Sequence, residues 1–317
     1  MMHGGGASRI IVAFLSVAIS AGCVAKSRTT DVPTTPPQLM SPQELQALPS
    51  QAADFRIAYG SDSSQFGELR VPAGAGPHPV AVLIHGGCFK AMYATLKDLA
   101  PMADALKEHG IATWNIEYRR LGQPGGGWPN TYLDVSRAVD HLRKIASEHR
   151  LDLNRVVIVG HSAGGHLAMW AASRARVPAA SSIHTDNPLP VRGVINLAGP
   201  IDMTANIQGY EGLCRDTVIT SLMGGTPQTV PEHYSSVSIN KLVPLGVPQV
   251  IVIGEFEDFL PRPIAESYVR AATQSGDQAR LVVIPRVGHF EIASPRASPW
   301  RQVAPAVRAL LDGKLPQ

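Results

Sequence analysis

Val156-Val157-Ile158-Val159 runs directly into Gly160-His161-Ser162-Ala163-Gly164-Gly165-His166, and the residues from Leu167 to Arg174 then suit a helix. An apolar run that stops at a glycine and is followed by helical residues predicts a strand, a tight turn and a helix. A serine at the apex of such a turn takes a sparsely populated backbone conformation, and Gly160 and Gly164 must lack side chains where neighbouring backbone passes closely. The Ser162 hydroxyl is thereby lifted out of the sheet to the positive end of the following helix. The Ala163 amide points at the place where a carbonyl oxygen would gather charge. A G-x-S-x-G pattern also occurs as an ordinary turn, so it is the strand before and the helix after that make Ser162 a candidate nucleophile.

The same alternation extends in both directions. Phe55 to Tyr59 and Glu68 to Val71 alternate and predict an antiparallel pair at one edge of a sheet. Val80 to Ile84 is a solid apolar run between Pro79 and Gly86, as expected of a strand buried on both faces. Ala94 to His109 has helical spacing, Ile111 to Tyr118 reads as a strand, and Val135 to Ala146 marks one face of a helix. Beyond the serine turn, Val191 to Ala198, Gln249 to Ile253 and Leu281 to Ile284 read as strands, with helices around Ile264 to Ala272 and Trp300 to Leu311. Strands alternating with helices, most of the strands solidly apolar, predict a mostly parallel sheet covered on both faces. Residues 199–248 show no long period and read as a lid-like insertion over a site.

At 317 residues, with 44% apolar and 17% charged residues, the chain has room for one large domain, placed at 51–315. Its net charge of +3 is not concentrated in any lysine or arginine run, which argues against nucleic acid as a partner. Arg9 and the apolar run Ile10 to Ala21 have the size of a signal-peptide core rather than a membrane span, so 1–22 is expected to be a signal peptide and the protein to be exported. Ser20-Ala21-Gly22-Cys23 resembles a lipoprotein processing site. Cys23 would then carry lipid and provide a membrane tether, giving a periplasmic or membrane-anchored protein. Residues 23–50, rich in Pro, Thr, Ser and Gln, read as a disordered tether. If Cys23 is consumed or removed, two of the three cysteines remain, and in an oxidising compartment Cys88 and Cys214 are expected to pair.

A nucleophilic serine needs a base, an acid behind it and amide donors for the developing charge. His289 in Gly288-His289-Phe290 follows a late strand and is the candidate base, while His161 and His166 read as structural. The acid is sought among Glu255, Glu257 and Asp258, which follow the Gln249 strand. His85-Gly86-Gly87-Cys88, past the Val80 strand, can supply a second amide beside that of Ala163, from Gly87 or Cys88.

These four elements make the sequence resemble the α/β-hydrolase family. Within it the chain is similar to small HGG-type serine esterases, the feruloyl-esterase-like enzymes and kynurenine formamidases. The resemblance runs from about Phe55 to Leu311 and rests on His85-Gly86-Gly87-Cys88-Phe89, Glu117-Tyr118-Arg119, the Gly160 to His166 turn, Gly254 through Pro261, and Gly288-His289-Phe290. It implies Ser162 as nucleophile, His289 as base, an acid in the Gly254 loop and an oxyanion hole at Gly86, Gly87, Cys88 and Ala163. Such enzymes carry an aspartate where this chain has Glu257, with Asp258 next to it, which leaves two candidate acids. In such a fold Phe89, Trp128, Leu260 and Phe290 are placed to line an acyl or aryl pocket. The activity implied is hydrolysis of a small-molecule carboxylic ester through an acyl-enzyme, with no metal or other cofactor. The alternatives are an arylformamidase or amidase with the same residues, and a non-catalytic surface lipoprotein binding module. Nothing in the sequence sets the oligomeric state.

Overall fold

The apolar run before Ser162 lies in the middle of an eight-stranded sheet. The strands are β1 (Phe55–Ala58), β2 (Phe66–Arg70), β3 (His78–Ile84), β4 (Ala112–Ile116), β5 (Leu151–His161), β6 (Gly193–Leu197), β7 (Gln249–Gly254) and β8 (Ala279–Ile284). They lie in the order β1-β2-β4-β3-β5-β6-β7-β8. The β1–β2 and β2–β4 pairings are antiparallel and all the others are parallel. Every residue of β4, β6 and β7 is buried, and in β3 every residue but Pro79. Successive side chains of a strand point to opposite faces, so burial throughout means that both faces are covered. The edge strands β1 and β8 are the more open ones.

The structure is a computed structural model that describes residues 1–2, 4–5, 37–205 and 207–316. The expected signal-peptide core and Cys23 lie outside the described residues, as do residues 23–36 of the expected tether. The helices are α1 (Pro42–Gln46), α2 (Ala100–Glu108), α3 (Asn130–Ile145), α4 (Ala163–Ala172), α5 (Ile207–Cys214), α6 (Val218–Met223), α7 (Pro231–Ser235), α8 (Arg262–Gln274) and α9 (Trp300–Leu311). The chain divides into Met1–Pro36 and Pro37–Gln317, and all of these elements belong to the second unit. α2, α3, α4, α8 and α9 pack on the sheet, whereas α5, α6 and α7 form the insertion expected at 199–248.

The tether expected over 23–50 needs correction at its far end. Ser41 caps α1 in a capping box with Glu44, Pro42 opens the helix, and Leu45 is only 2% exposed. A five-residue helix needs a single apolar anchor, which leaves no period for a sequence reading to find.

Candidate active site

Ser162 is held at φ 55°, ψ −126°, a conformation side chains rarely adopt. The close approaches around it explain the flanking glycines. A Cβ on Gly160 would lie 1.9 Å from the Gly164 carbonyl oxygen, and one on Gly164 would lie 2.0 Å from that of Ile84 at the end of β3. The Ser162 amide donates to Leu197 O of β6 at 2.8 Å, so the turn is fixed to the strands on both sides.

The ends of β7 and β8 are tied together by Glu255 N donating to Ile284 O (2.9 Å) and Phe256 N to Val287 O (3.0 Å). That brings Glu257 and His289 together. His289 Nδ1 lies 2.9 Å from each carboxylate oxygen of Glu257 and donates to them, which leaves Nε2 free to accept a proton. Oε1 of Glu257 also accepts from Phe259 N at 2.7 Å. Both side chains are nearly closed off, at 1% exposure for Glu257 and 7% for His289. Asp258, the other candidate acid, is exposed, and the carboxylate paired with His289 is that of Glu257. The two residues are adjacent, and the turn that aims one side chain at the histidine aims the next at solvent.

The loop from His85 to Cys88 leaves β3 beside Ser162 and is braced from beneath. Both ring nitrogens of His85 face acceptors, Gly86 O at 2.9 Å and Glu117 Oε1 at 3.0 Å. Glu117 also pairs with Arg120 at 2.7 Å and accepts from Leu96 N. Burial works against its charge, but His85 and Arg120 outweigh burial and hold the carboxyl below its ordinary range. Tyr118 Oη donates to His85 O at 2.8 Å. Cys88 is joined to Cys214 of α5 by a disulfide with Cα atoms 5.9 Å apart. The bridge fastens the insertion to this loop.

Ser162, His289, Gly86, Gly87, Cys88 and Phe290 open on a common cleft of about 390 Å³. Three of the expected pocket residues are not in its wall. Phe89 is fully buried, with its ring 5.9 Å from that of His166, and Leu260 faces a separate cavity of about 10 Å³. Trp128 stacks on His233 with ring centroids 4.1 Å apart and does not line the cleft. Hydrophobicity announced that these side chains pack but not on which side of the wall. His161, read as structural, also has its ring in the wall of the cleft. Its Nε2 donates to His289 O at 2.8 Å, and burial, reinforced by His289, pushes its pKa down to about 3. It is therefore a neutral brace for the backbone of His289. Sequence reasoning missed α1 altogether, although Pro42, Gln43, Leu45 and Gln46 form one side of the cleft. It also missed the Glu117–Arg120 brace and Tyr210. The stretch Glu117-Tyr118-Arg119, one of those that carry the resemblance, was the signal that pointed to the brace.

Residues 69–267, more than half of the chain, match the BD-FAE family. The chain belongs to the BD-FAE family. Among curated relatives this BD-FAE member is 26% identical over 239 residues to "Esterase LipC" of Mycobacterium tuberculosis (strain ATCC 25618 / H37Rv), covering 74% of this chain and 59% of that protein. The chain thus spans less than two thirds of the length of the first curated relatives it matches. It is similar in fold to a truncated carbohydrate esterase from gut microbiota, with TM-score 0.68 at 19% identity, covering 81% of this chain and 95% of that one. A structure titled "Bacterial Heroin Esterase" gives TM-score 0.66 at 22% identity, covering 86% and 87%. The fold of this BD-FAE chain is therefore the α/β-hydrolase fold.

Proposed function

We propose that the chain is a serine hydrolase that cleaves carboxylic esters through an acyl-enzyme. The observation that carries this reading is the histidine that a buried carboxylate orients, His289 on Glu257, in the same cleft as a serine held at a strained turn. In this mechanism Ser162 Oγ attacks the acyl carbon while His289 Nε2 takes its proton. The carbonyl electron pair moves to oxygen, where the Ala163 amide and an amide of the Gly86–Cys88 loop receive the charge. Collapse expels the alcohol, which takes the proton back from His289. Water activated by the same imidazole then clears the acyl group. Glu257 keeps Nδ1 protonated and offsets the charge on the imidazolium.

The names of the relatives, esterases for the most part, support ester substrates over other acyl compounds. Met92, Tyr93 and Leu213, exposed at the mouth of the cleft, suit an apolar substituent on the ester. No metal or organic cofactor is required by this chemistry. Residues 1–22 as an export signal and Cys23 as a lipid anchor fit the same reading, and a disulfide is at home in an oxidising compartment. Among the described residues no helix is long and apolar enough to cross a membrane.

Ser162→Ala is expected to fold normally and to lose turnover of p-nitrophenyl esters by about a millionfold. A fluorophosphonate probe should label the wild type at Ser162 and leave the variant untouched. Labelling at another residue, or turnover of N-formylkynurenine with none of any ester, would refute the proposal.

A further inference from the structure

Tyr210 is a buried polar residue that this mechanism leaves unused. It sits in α5, one helical turn before Cys214, so the two side chains share a face of that helix. The Cys88–Cys214 bridge therefore fixes the position of Tyr210 against the His85–Cys88 loop. Its ring lies 6.3 Å from that of Phe89 and 5.7 Å from that of Phe259, and the Phe259 ring in turn lies 4.1 Å from that of His289. Tyr210 is 2% exposed. Its ring borders the small cavity that Leu260 faces, and the polar side chains that act on its hydroxyl are those of Ser162 and Glu257. Among the described residues, however, Tyr210 Oη has no hydrogen bond of acceptable geometry.

A buried hydroxyl without a partner is costly, and one held beside a nucleophile has an obvious partner in an oxygen that arrives with the substrate. Once Ser162 Oγ has bonded to the acyl carbon, the oxygens on that carbon lie within reach of a donor next to Oγ. We propose that Tyr210 is a catalytic residue whose phenolic hydroxyl donates to the oxyanion formed at that carbon, adding a side-chain donor to the backbone amides. Burial pushes the phenol well above its ordinary pKa, so it stays protonated and acts only as a donor. No proton changes hands at Tyr210: the Oγ–carbon bond forms, the carbonyl electron pair moves to oxygen, and the phenol O–H forms its hydrogen bond to that oxygen. The inference rests on the hydrolase reading above.

Tyr210→Phe removes one oxygen that has no partner in the resting protein, so the variant should keep the wild-type Tm. Its kcat for p-nitrophenyl acetate should fall about 10²-fold with KM nearly unchanged, the loss expected for one oxyanion donor. A trifluoromethyl ketone, which forms a hemiketal oxyanion on Ser162 but has no leaving group, should bind more weakly by the same factor. An unchanged kcat, a rise in KM alone, or a fall in kcat with undiminished ketone affinity would each overturn the proposal. Wild-type protein that neither hydrolyses esters nor takes the fluorophosphonate would instead bring down the hydrolase reading, and this inference with it.

Discussion

At Glu257 the carboxylate receives His289 Nδ1 and the Phe259 amide while almost wholly buried, whereas the next side chain, Asp258, stands in solvent. Neutralising each should therefore give opposite results. Glu257→Gln cannot favour the imidazolium and presents an amide N–H toward Nδ1, so kcat should drop by about 10³- to 10⁴-fold at unchanged Tm. Asp258→Asn should stay within about twofold of wild type, as surface substitutions generally do. Steady-state rates of the two variants on one ester decide it, and equal small losses would remove Glu257 from the mechanism. At this scale the sequence spoke unevenly. Ser162 was legible because strand, glycines and helix leave its side chain one place to go, and His289 because it follows a late strand. The acid was legible only as a pair, since an offset in a loop fixes position to within a residue. Phe89 and Leu260 were misread because an apolar side chain is equally at home in a core and in a pocket wall.

Among the elements, α1 carries the least sequence signal and yet forms part of the cleft wall. Leu45 seats it in the core, Met40 N donates to Glu291 Oε1 at 2.5 Å, and Gln46 Nε2 donates to Tyr93 O at 2.8 Å. Glu291 also accepts from Gly288 N at 3.1 Å, so the strap and the loop of His289 hang on one carboxylate. Leu45→Ala removes the apolar anchor, a change worth about 2–5 kcal/mol in a core and enough to release so short a helix. The expected outcome is a rise in KM that grows with the size of the ester, with acetate least affected. A KM series over p-nitrophenyl acetate, butyrate and octanoate tests this, and an equal effect on all three would mean that α1 is not part of the substrate wall. The central strands, by contrast, were read to within two residues at each end, except that β5 begins at Leu151, five residues before Val156, because burial on both faces demands an unbroken apolar run and little else in a chain looks like one. The insertion was visible only as a gap in that regularity. Its three short helices, and hence Tyr210, had no period to betray them.

For the molecule as a whole, acid should act through two buried histidines. Burial pushes the pKa of His161 down to about 3 and that of His166 to about 4, from the ordinary 6.5. Burial holds His166 neutral against the opposing pull of its Nδ1–H donating to Pro200 O, while its Nε2 accepts from Tyr132 Oη. Between pH 6.5 and 4 the unfolded chain therefore binds more protons than the folded one, so this stabilisation is complete above 6.5 and is lost as the pH falls toward 4. Each histidine contributes a slope of up to about 1.4 kcal/mol per pH unit. Urea midpoints at pH 7, 6 and 5 should fall accordingly, and His166→Gln should flatten the trend by about one proton; an unaltered slope would show that His166 is protonated in the native state. The disulfide works at the same scale. Cys88 and Cys214, 126 residues apart, close a covalent ring that contains Ser162 but neither Glu257 nor His289. A protease nick inside that ring opens it without releasing a fragment, and the nucleophile stays attached to its partners. A nick between Cys214 and Glu257 leaves the nucleophile on one polypeptide and the carboxylate and imidazole on another, held together only by packing. Where the chain is cut, not whether it is cut, decides if the two halves of the site can part.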